Sequence, residues 1–585
     1  MFRNQCSLMV NDWRCQMSSK GDPGHGHVIY LTGHGLTIED AVLVARGDAN
    51  GVFPRVELHP EARDHMAQMR AEIEKKIEAR EVMYGINTGC GSNKDIALEP
   101  EELDRYQRKY IKTHAVGFGD FVDPEVIRVM MLLRVNSFAV GNSGVTLGLC
   151  NSILDLLNRN IIPAVPKYGS VGASGDLIPL AHLGAVLIGR PWAKVFFNGD
   201  LRDANTVLLE EGLIDEDHDT LHELSAKEAM GLTNGATYIL SLAVLGVYDA
   251  QQLVELSDLG VALHLEAVRG ELNAFDDRVH LARQHQGQIS AAAHIRGLVK
   301  DSHRTTKKAQ AVMLPFDSCP RDDAPCAKKC PPKEDGKQVK GPRVQDRYSV
   351  RCAPQVHGAV RQAITHLAST VVLEMNASTD NPLIFPSKKK PGDYDVLSAG
   401  NFHGEILAIP IDGVLIALAN LANISNARLY ALLEDKRSYG LPNDLSGGEE
   451  QDNTGFMIAQ YSVAGLVMQM MGLAAGHSRF SIPTSAGQED YVSNGANAAL
   501  ALRESLGFLE KVLAVEILAG CQAIDLGTPH LGEEHSKLGA GTQLAYDLVR
   551  EHVAKMGEDD DLYPDIHDVL ALVEDGTLHA EISDL

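Results

Sequence analysis

The sequence predicts a mainly α-helical protein with a long central helical bundle. Its dominant hydrophobic period is that of a helix, and in the segment that follows Pro60 the apolar residues recur at three- and four-residue spacing, at Met66, Met69, Ile73 and Ile77. The second half contains long, nearly uncharged segments such as GVLIALANLANISNARLYALLEDK, separated by Gly, Pro, Asn and Asp clusters. Helices that are apolar on nearly all sides belong inside a bundle or at a subunit interface. Strand candidates are short, and no repeat of fixed period is present.

The order of these elements predicts a division of the chain into four parts. Residues 1–28 read as a flexible tail, because charges interrupt their apolar residues too often for a signal peptide. An N-terminal domain is expected over 29–230, a central helical bundle over 231–530 and a C-terminal helical segment over 531–585. Inside the bundle domain, 317–343 is rich in Pro, Lys and Asp and predicts an exposed inserted loop.

Composition and charge narrow the classes of partner. The 585 residues are 44% hydrophobic and carry a formal net charge of −25, so the protein repels phosphate backbones and anionic membranes. A small-molecule substrate fits this balance better than nucleic acid or a membrane. The most apolar stretch, from Ile406, contains Pro410 and Asp412, which favours a buried helix over a membrane span. The nine scattered cysteines are typical of reduced thiols in a cytoplasmic protein.

Three cysteines of the inserted loop raise the question of a metal site. Cys319, Cys326 and Cys330 lack a regular Cys-x-x-Cys pair and have no neighbouring histidine. Structural zinc sites depend on such spacing. We therefore predict no metal in this protein.

The glycine-rich stretch GSVGASGDLIPLAHLG, residues 169–184, needs an explanation of its own. It lacks the lysine and hydroxyl spacing of a phosphate-binding loop, which argues against a nucleotide. A hydrolase nucleophile turn would require glycine two residues after Ser174, where Asp176 stands. A turn that caps the following helix, with Asp176 near its N-terminus, remains open.

A chemical explanation uses the residues Ala173, Ser174 and Gly175 as they stand. The amide nitrogen of Gly175, unhindered by a Cβ, can attack the carbonyl carbon of Ala173 if the turn is tight enough. Loss of water there and from the side chain of Ser174 leaves a five-membered ring with an exocyclic methylene. Such a ring is an electrophile made from backbone.

Seven motifs follow one another along the chain: MYGINTGCG (83–91), GSVGASGDLIPLAHL (169–183), KEAMGLTNGAT (227–237), QDRYSVRCAPQ (345–355), NASTDNPL (376–383), GNFHG (400–404) and PTSAGQED (483–490). In this order they resemble the ammonia-lyases and aminomutases that carry 4-methylidene-imidazol-5-one (MIO) and act on histidine, phenylalanine or tyrosine. The resemblance extends from about Leu31 to the C-terminus. It implies the histidine/phenylalanine ammonia-lyase fold, a homotetramer with active sites shared between subunits, and an MIO formed autocatalytically without metal or nucleotide.

The resemblance also implies roles for individual residues. Removal of ammonia from an α-amino acid takes a weakly acidic β-proton and expels a poor leaving group, so a strong electrophile is needed. Tyr84 would be the base, on a glycine-flanked lid, and its pKa near 10 would need lowering. Arg351 would bind the substrate carboxylate, Tyr348 the amine end, and Asn234 would stabilise charge on the ring oxygen. The resemblance further implies pocket-lining residues: Gln345, Phe402 and Gln488.

Substrate choice is expected to depend on a residue pair, Thr113 and His114. Members that handle histidine or tyrosine tend to have a histidine here, which argues for a polar ring. Two departures from the family pattern follow. Gln469 falls where histidine-specific members, and many others, have a glutamate, and its neutral amide weakens the case for an imidazole substrate. Cys90 replaces the phenylalanine that is usual in the lid motif.

Three hypotheses result. The first is an ammonia-lyase that gives an α,β-unsaturated acid, with tyrosine ranked before histidine and phenylalanine last. The second is a 2,3-aminomutase, which shares every quoted motif. The third is a non-catalytic helical relative, disfavoured because the Ala-Ser-Gly triad and the implied polar residues are all present.

Overall fold

The computed structural model describes residues 27–312, 314–315, 344–447 and 452–583. The predicted tail, apart from its last two residues, lies outside the described residues. So does the whole predicted loop 317–343 with its three cysteines.

The first part of the chain combines short helices with short strands. In chain order its elements are β1 (Val28–Leu31), α1 (Ile38–Arg46), β2 (Arg55–Leu58), α2 (Pro60–Glu78), α3 (Leu103–His114), β3 (Phe118–Phe121), α4 (Pro124–Ala139), α5 (Leu147–Asn158), β4 (Ile162–Pro163), β5 (Pro166–Tyr168), α6 (Leu177–Leu187), β6 (Lys194–Phe197), β7 (Asp200–Asp203), α7 (Ala204–Glu210) and α8 (Glu228–Thr233). Side-chain caps begin several of these helices; Thr37 forms a capping box with Asp40 at the start of α1.

The second part is almost entirely helical. Its elements are α9 (Thr237–Val268), α10 (Asp277–Arg283), α11 (Gln286–Leu298), α12 (Lys307–Gln310), α13 (Tyr348–Arg351), α14 (Ala353–Met375), β8 (Leu383–Pro386), β9 (Tyr394–Leu397), α15 (Glu405–Leu432), α16 (Asp435–Ser438), α17 (Met457–Leu473), α18 (Gly495–Leu531), α19 (Glu533–Ser536), α20 (Ala540–His552), α21 (Leu562–Glu574) and α22 (Thr577–Ile582).

The strands form small separate sheets and do not organise the core. Among the described residues, β1 pairs with β2 in parallel, β3 pairs with β5, β4 with β6 and β6 with β7 in antiparallel fashion, and β8 pairs antiparallel with β9. The predicted mainly α-helical class is confirmed.

A bundle of α9, α14, α15 and α18 forms the centre of the molecule. Helix α9 packs along α18, and α15 packs against both, so that apolar residues from all three fill one continuous core. This burial explains why these segments carry so few charges, because an unpaired charge in such a core is costly. The predicted long helical bundle is confirmed.

Two of these helices, α9 and α15, are long and apolar enough to cross a membrane by length and composition alone. In α9, 72% of the most apolar window is buried inside the protein, and in α15 56% is buried. Core helices of a bundle pass the same test. Pro410 lies within the second turn of α15.

Candidate active site

The Ala173–Gly175 turn lies between β5 and α6 and packs against a second backbone segment. Gly175 has a left-handed φ of +78°, and a Cβ there would lie 2.2 Å from the carbonyl carbon of Gly235. The Gly235 amide donates a hydrogen bond to the Ser174 carbonyl oxygen at 3.2 Å, and the Asp176 amide donates one to the Gly235 carbonyl at 2.9 Å. The stretch is rich in glycine because two backbones meet here without space for a side chain.

Asp176 fastens this turn to the bundle. The carboxylate is fully buried, accepts a hydrogen bond from the Ser170 hydroxyl at 2.6 Å and accepts another from the amide of Ile239 at 2.9 Å. Burial raises its pKa to about 6. Asp176 stands at the start of α6 but makes no side-chain bond to that helix, so the capping interpretation is wrong for its carboxylate. It joins the turn to the first residues of α9 instead.

Asn234 lies beside the turn because it directly precedes Gly235. Its side chain is 3% exposed, and its amide nitrogen donates to the Met230 sulfur at 2.7 Å. Its backbone carbonyl accepts a hydrogen bond from the buried guanidinium of Arg134, on α4. The sequence prediction for Asn234 thus corresponds to a residue adjacent to the Ala173–Gly175 turn.

Tyr84 lies on the predicted lid and is half-buried. Its hydroxyl accepts a hydrogen bond from the Gly91 amide at 3.2 Å. Burial raises its pKa above 10, and the negative charge of Glu489 contributes to the increase. The lowering of this pKa that a base requires is therefore not provided by the described residues of this one chain.

Glu489 is the residue of the site that the sequence argument missed. Its carboxylate accepts a hydrogen bond from the Ser174 hydroxyl at 2.8 Å, and its second oxygen accepts one from the Thr484 hydroxyl at 2.9 Å. Its charge also opposes the lowering of the pKa of His114 that burial causes. Glu489 stands inside the quoted motif PTSAGQED, next to Gln488, and the motif was the only signal for it.

His114 ends α3 with its ring stacked on Tyr110, the two centroids 3.7 Å apart. Its Nδ1 lies 2.7 Å from the Tyr110 carbonyl oxygen, so in the neutral ring Nδ1 carries the proton and Nε2 is an acceptor. Burial lowers its pKa below 6.5 and favours this neutral form. Thr113 is exposed, and its hydroxyl donates to the Tyr110 carbonyl of its own helix at 3.0 Å.

Tyr348 and Arg351 lie on α13. Tyr348 is 70% exposed, and the Arg351 guanidinium carbon lies 4.5 Å from the centre of its ring. The Arg351 Nε is buried and has no hydrogen-bond partner among the described residues. Of the predicted lining residues, Gln345, Gln469 and Gln488 are exposed in the single chain. Phe402 is half-buried. Ser174 contacts the segment of Asn234 and also Glu489, whose charge acts on Tyr84 and His114. The described residues show no such link to α13.

Comparisons with known proteins are consistent among themselves. The model of the aromatic amino acid lyase family matches residues 36–551. Histidine ammonia-lyase of Caldanaerobacter subterraneus subsp. tengcongensis is 37% identical over 552 residues, covering 94% of this chain and 97% of the relative. Histidine ammonia-lyase of Alkaliphilus oremlandii shows the same identity and coverage.

Solved structures give the same answer for the fold. Histidine ammonia-lyase from Trypanosoma cruzi superposes with a TM-score of 0.80 at 31% identity, covering 95% of each chain. Tyrosine aminomutase from Streptomyces globisporus superposes with a TM-score of 0.83 at 30% identity, covering 95% of this chain and 98% of its own.

Proposed function

Since the chain belongs to the aromatic amino acid lyase family and is a carbon–nitrogen lyase, we propose that it eliminates ammonia from histidine to give the imidazolyl acrylate. The observation that carries this proposal is the cluster of Tyr84, His114 and Glu489 around Ser174. The sequence alone favours tyrosine over histidine as the substrate. Histidine is favoured here because the curated relatives above are histidine ammonia-lyases and because the neutral ring of His114 offers an acceptor to an imidazole N–H.

The turn fits the family's MIO group on a structural test. Gly175 adopts a left-handed backbone that leaves its nitrogen unhindered, and Gly235 fills the space where any side chain would lie. Ser174 must lose its hydroxyl to form the ring, and this hydroxyl donates a hydrogen bond to the Glu489 carboxylate. When present, the ring supplies an electrophilic carbon that makes the amine a better leaving group. Asn234 and the Gly235 amide would hold it.

The chain's own residues divide the remaining work. Neutral His114 offers Nε2 as an acceptor for the N–H of the substrate imidazole. Glu489 accepts hydrogen bonds from the substrate ammonium and can take its proton. Tyr84 removes the β-proton, and the Arg351 guanidinium, which binds the carboxylate in the assembled site, lowers its pKa by its positive charge. The glycine-flanked lid excludes water.

A site of this kind needs more than one copy of the chain. Tyr348 is mostly exposed and Arg351 is half-buried, and helices α14, α15 and α17 expose large apolar side chains: Leu373, Ile406, Ile409, Ile416, Ile458, Tyr461 and Met468. Exposed apolar faces of this extent are typical of subunit interfaces. We propose a cytoplasmic homotetramer in which α13 of one copy completes the site of another.

A 2,3-aminomutase is the second candidate, since tyrosine aminomutase is among the structures that superpose well. A non-catalytic role is set aside by the family assignment. The deciding experiment incubates the purified protein with histidine, tyrosine and phenylalanine separately and resolves acrylate, ammonia and β-amino acid by mass detection. We expect acrylate and ammonia from histidine. Product from tyrosine alone would refute the proposal that histidine is the substrate. Accumulation of β-amino acid would refute the proposal that the enzyme is a lyase.

A further inference from the structure

Arg134 is a buried cation beside the site without a role in the scheme above. It lies in the middle of α4, is fully buried, and among the described residues no carboxylate lies within 4 Å of it. Burial lowers its pKa accordingly. Its Nη1 donates to the Asn234 carbonyl and its Nη2 to the Ser137 hydroxyl at 2.9 Å, while its buried Nε has no partner among the described residues. A charge buried without an ion pair is costly, so its position calls for a physical reason.

The peptide that Arg134 contacts also contacts the turn. The Asn234 carbonyl and the Gly235 N–H are the two ends of one planar peptide group. Its N–H end donates to the Ser174 carbonyl oxygen at 3.2 Å. A Cβ on Gly235 would lie 2.6 Å from the Arg134 guanidinium nitrogen, so the missing side chain lets the guanidinium reach this peptide. Cation, peptide and Ser174 carbonyl therefore form one chain of hydrogen bonds.

We propose that Arg134 is a positioning residue that polarises the Asn234–Gly235 peptide and so strengthens the hydrogen bond to the Ser174 carbonyl oxygen. The proposal rests on the function proposed above, because that oxygen becomes the ring carbonyl when the turn cyclises. Addition of a nucleophile to the exocyclic methylene carbon moves an electron pair onto this oxygen. A cation at the far end of the donating peptide makes its N–H a stronger donor and stabilises the developing charge.

A matched control lies on the same helix. Arg128 is 3% exposed, donates to the Val44 carbonyl at 2.6 Å and to Asn160 at 2.8 Å, and makes no contact with Asn234 or Gly235. Replacing either arginine by methionine removes a buried cation of α4. Only Arg134→Met removes the cation at the peptide that contacts Ser174. Arg134→Lys retains a positive charge there without the two-donor geometry.

The experiment measures the electrophile without an amino acid substrate. Intact mass first reports whether each variant has lost two waters from the Ala173–Gly175 turn. Cyanide is then added: its carbon bonds to the methylene carbon, the electron pair passes to the Ser174 oxygen, and solvent supplies a proton. The rate of the resulting mass increase reports electrophilicity, and the ultraviolet difference spectrum against each variant's own Ser174→Ala counterpart isolates the ring. The outcome does not depend on which amino acid the enzyme accepts.

We expect the cyanide rate to fall in the order wild type, Arg134→Lys, Arg134→Met, with a loss of about tenfold or more in the last. The ring absorption of Arg134→Met shifts, while Arg128→Met keeps the wild-type rate and spectrum. If Arg134→Met fails to cyclise, the comparison of Arg134→Lys with wild type decides. A wild-type rate and spectrum in every Arg134 variant that forms the ring would overturn the proposal.

Discussion

Replacing Gly175 by alanine tests whether the turn depends on two bare backbones in contact. The added Cβ would lie 2.2 Å from the Gly235 carbonyl carbon, so the segments must separate by more than about 1 Å. The left-handed φ of +78° costs an alanine about 1–2 kcal/mol, and forcing a methyl group into a packed site costs about 1–3 kcal/mol more. Separation also breaks the hydrogen bond between the Gly235 amide and the Ser174 carbonyl.

Gly199→Ala separates the two costs. Gly199 has a φ of +85°, but nothing lies within 4 Å of the position of its Cβ, so only the backbone cost applies. We would measure the unfolding midpoint in urea and the intact mass of both variants. Gly199→Ala should have a slightly lower unfolding midpoint and an intact mass two waters below that of its sequence, because the ring still forms. Gly175→Ala should have a lower midpoint again and the full mass of its sequence, because the ring does not form. Equal midpoints, with the ring formed in both variants, would show that the close approach to Gly235 does not govern cyclisation.

Four other predictions concern single side chains around the turn. Ser174→Ala should abolish turnover and have the intact mass calculated from its sequence, with no water lost. A normal rate would show that the electrophile does not come from this residue. Tyr84→Phe should form the ring, by intact mass, yet lose about 10²–10⁴-fold in kcat, since only the base is removed; unchanged kcat would exclude Tyr84 as the base. Glu489→Gln should lower kcat by about tenfold or more and slow ring formation in refolding chains, because the neutral amide can neither take a proton from the substrate amine nor relay one to the departing hydroxyl of Ser174; full activity would refute the role of Glu489. His114→Phe should shift the kcat/KM ranking toward phenylalanine. Since burial holds the pKa of His114 below 6.5, its protonation and the loss of its Nε2 acceptor occur only on the acid side of that value, and this acid limb of kcat/KM should be absent from the variant.

The sequence predicted the helical class well because long apolar segments such as α9 have one physical solution, burial among other helices. It also led to Tyr84, Ser174 and Asn234, whose motifs are local. Glu489 was missed because its relation to Ser174 arises from the path of the chain, and nothing in the local pattern separates it from its neighbours.

Two further features were beyond sequence reasoning for different reasons. Arg134 looks like any arginine of a helix until α4 is packed against the segment that precedes α9. The pKa of Tyr84 is raised and not lowered, because burial has the largest effect on it. In the proposed function, the lowering of this pKa comes from Arg351 in an assembled site, which the sequence of one chain indicates only through exposed apolar faces.

The backbone bridge between Gly175 and Gly235 also bears on when, during folding, the proposed ring can form. The two glycines are far apart in the sequence, and closing a long loop carries an entropic cost that only a packed core offsets. We expect the segment ahead of α6 to meet the segment ahead of α9 late in folding, when most of the native contacts exist. A nascent or damaged chain would hold an ordinary Ala-Ser-Gly peptide, and the reactive group would arise only in molecules that have folded. The missing mass of two waters then becomes a permanent record that a given molecule once reached its native state.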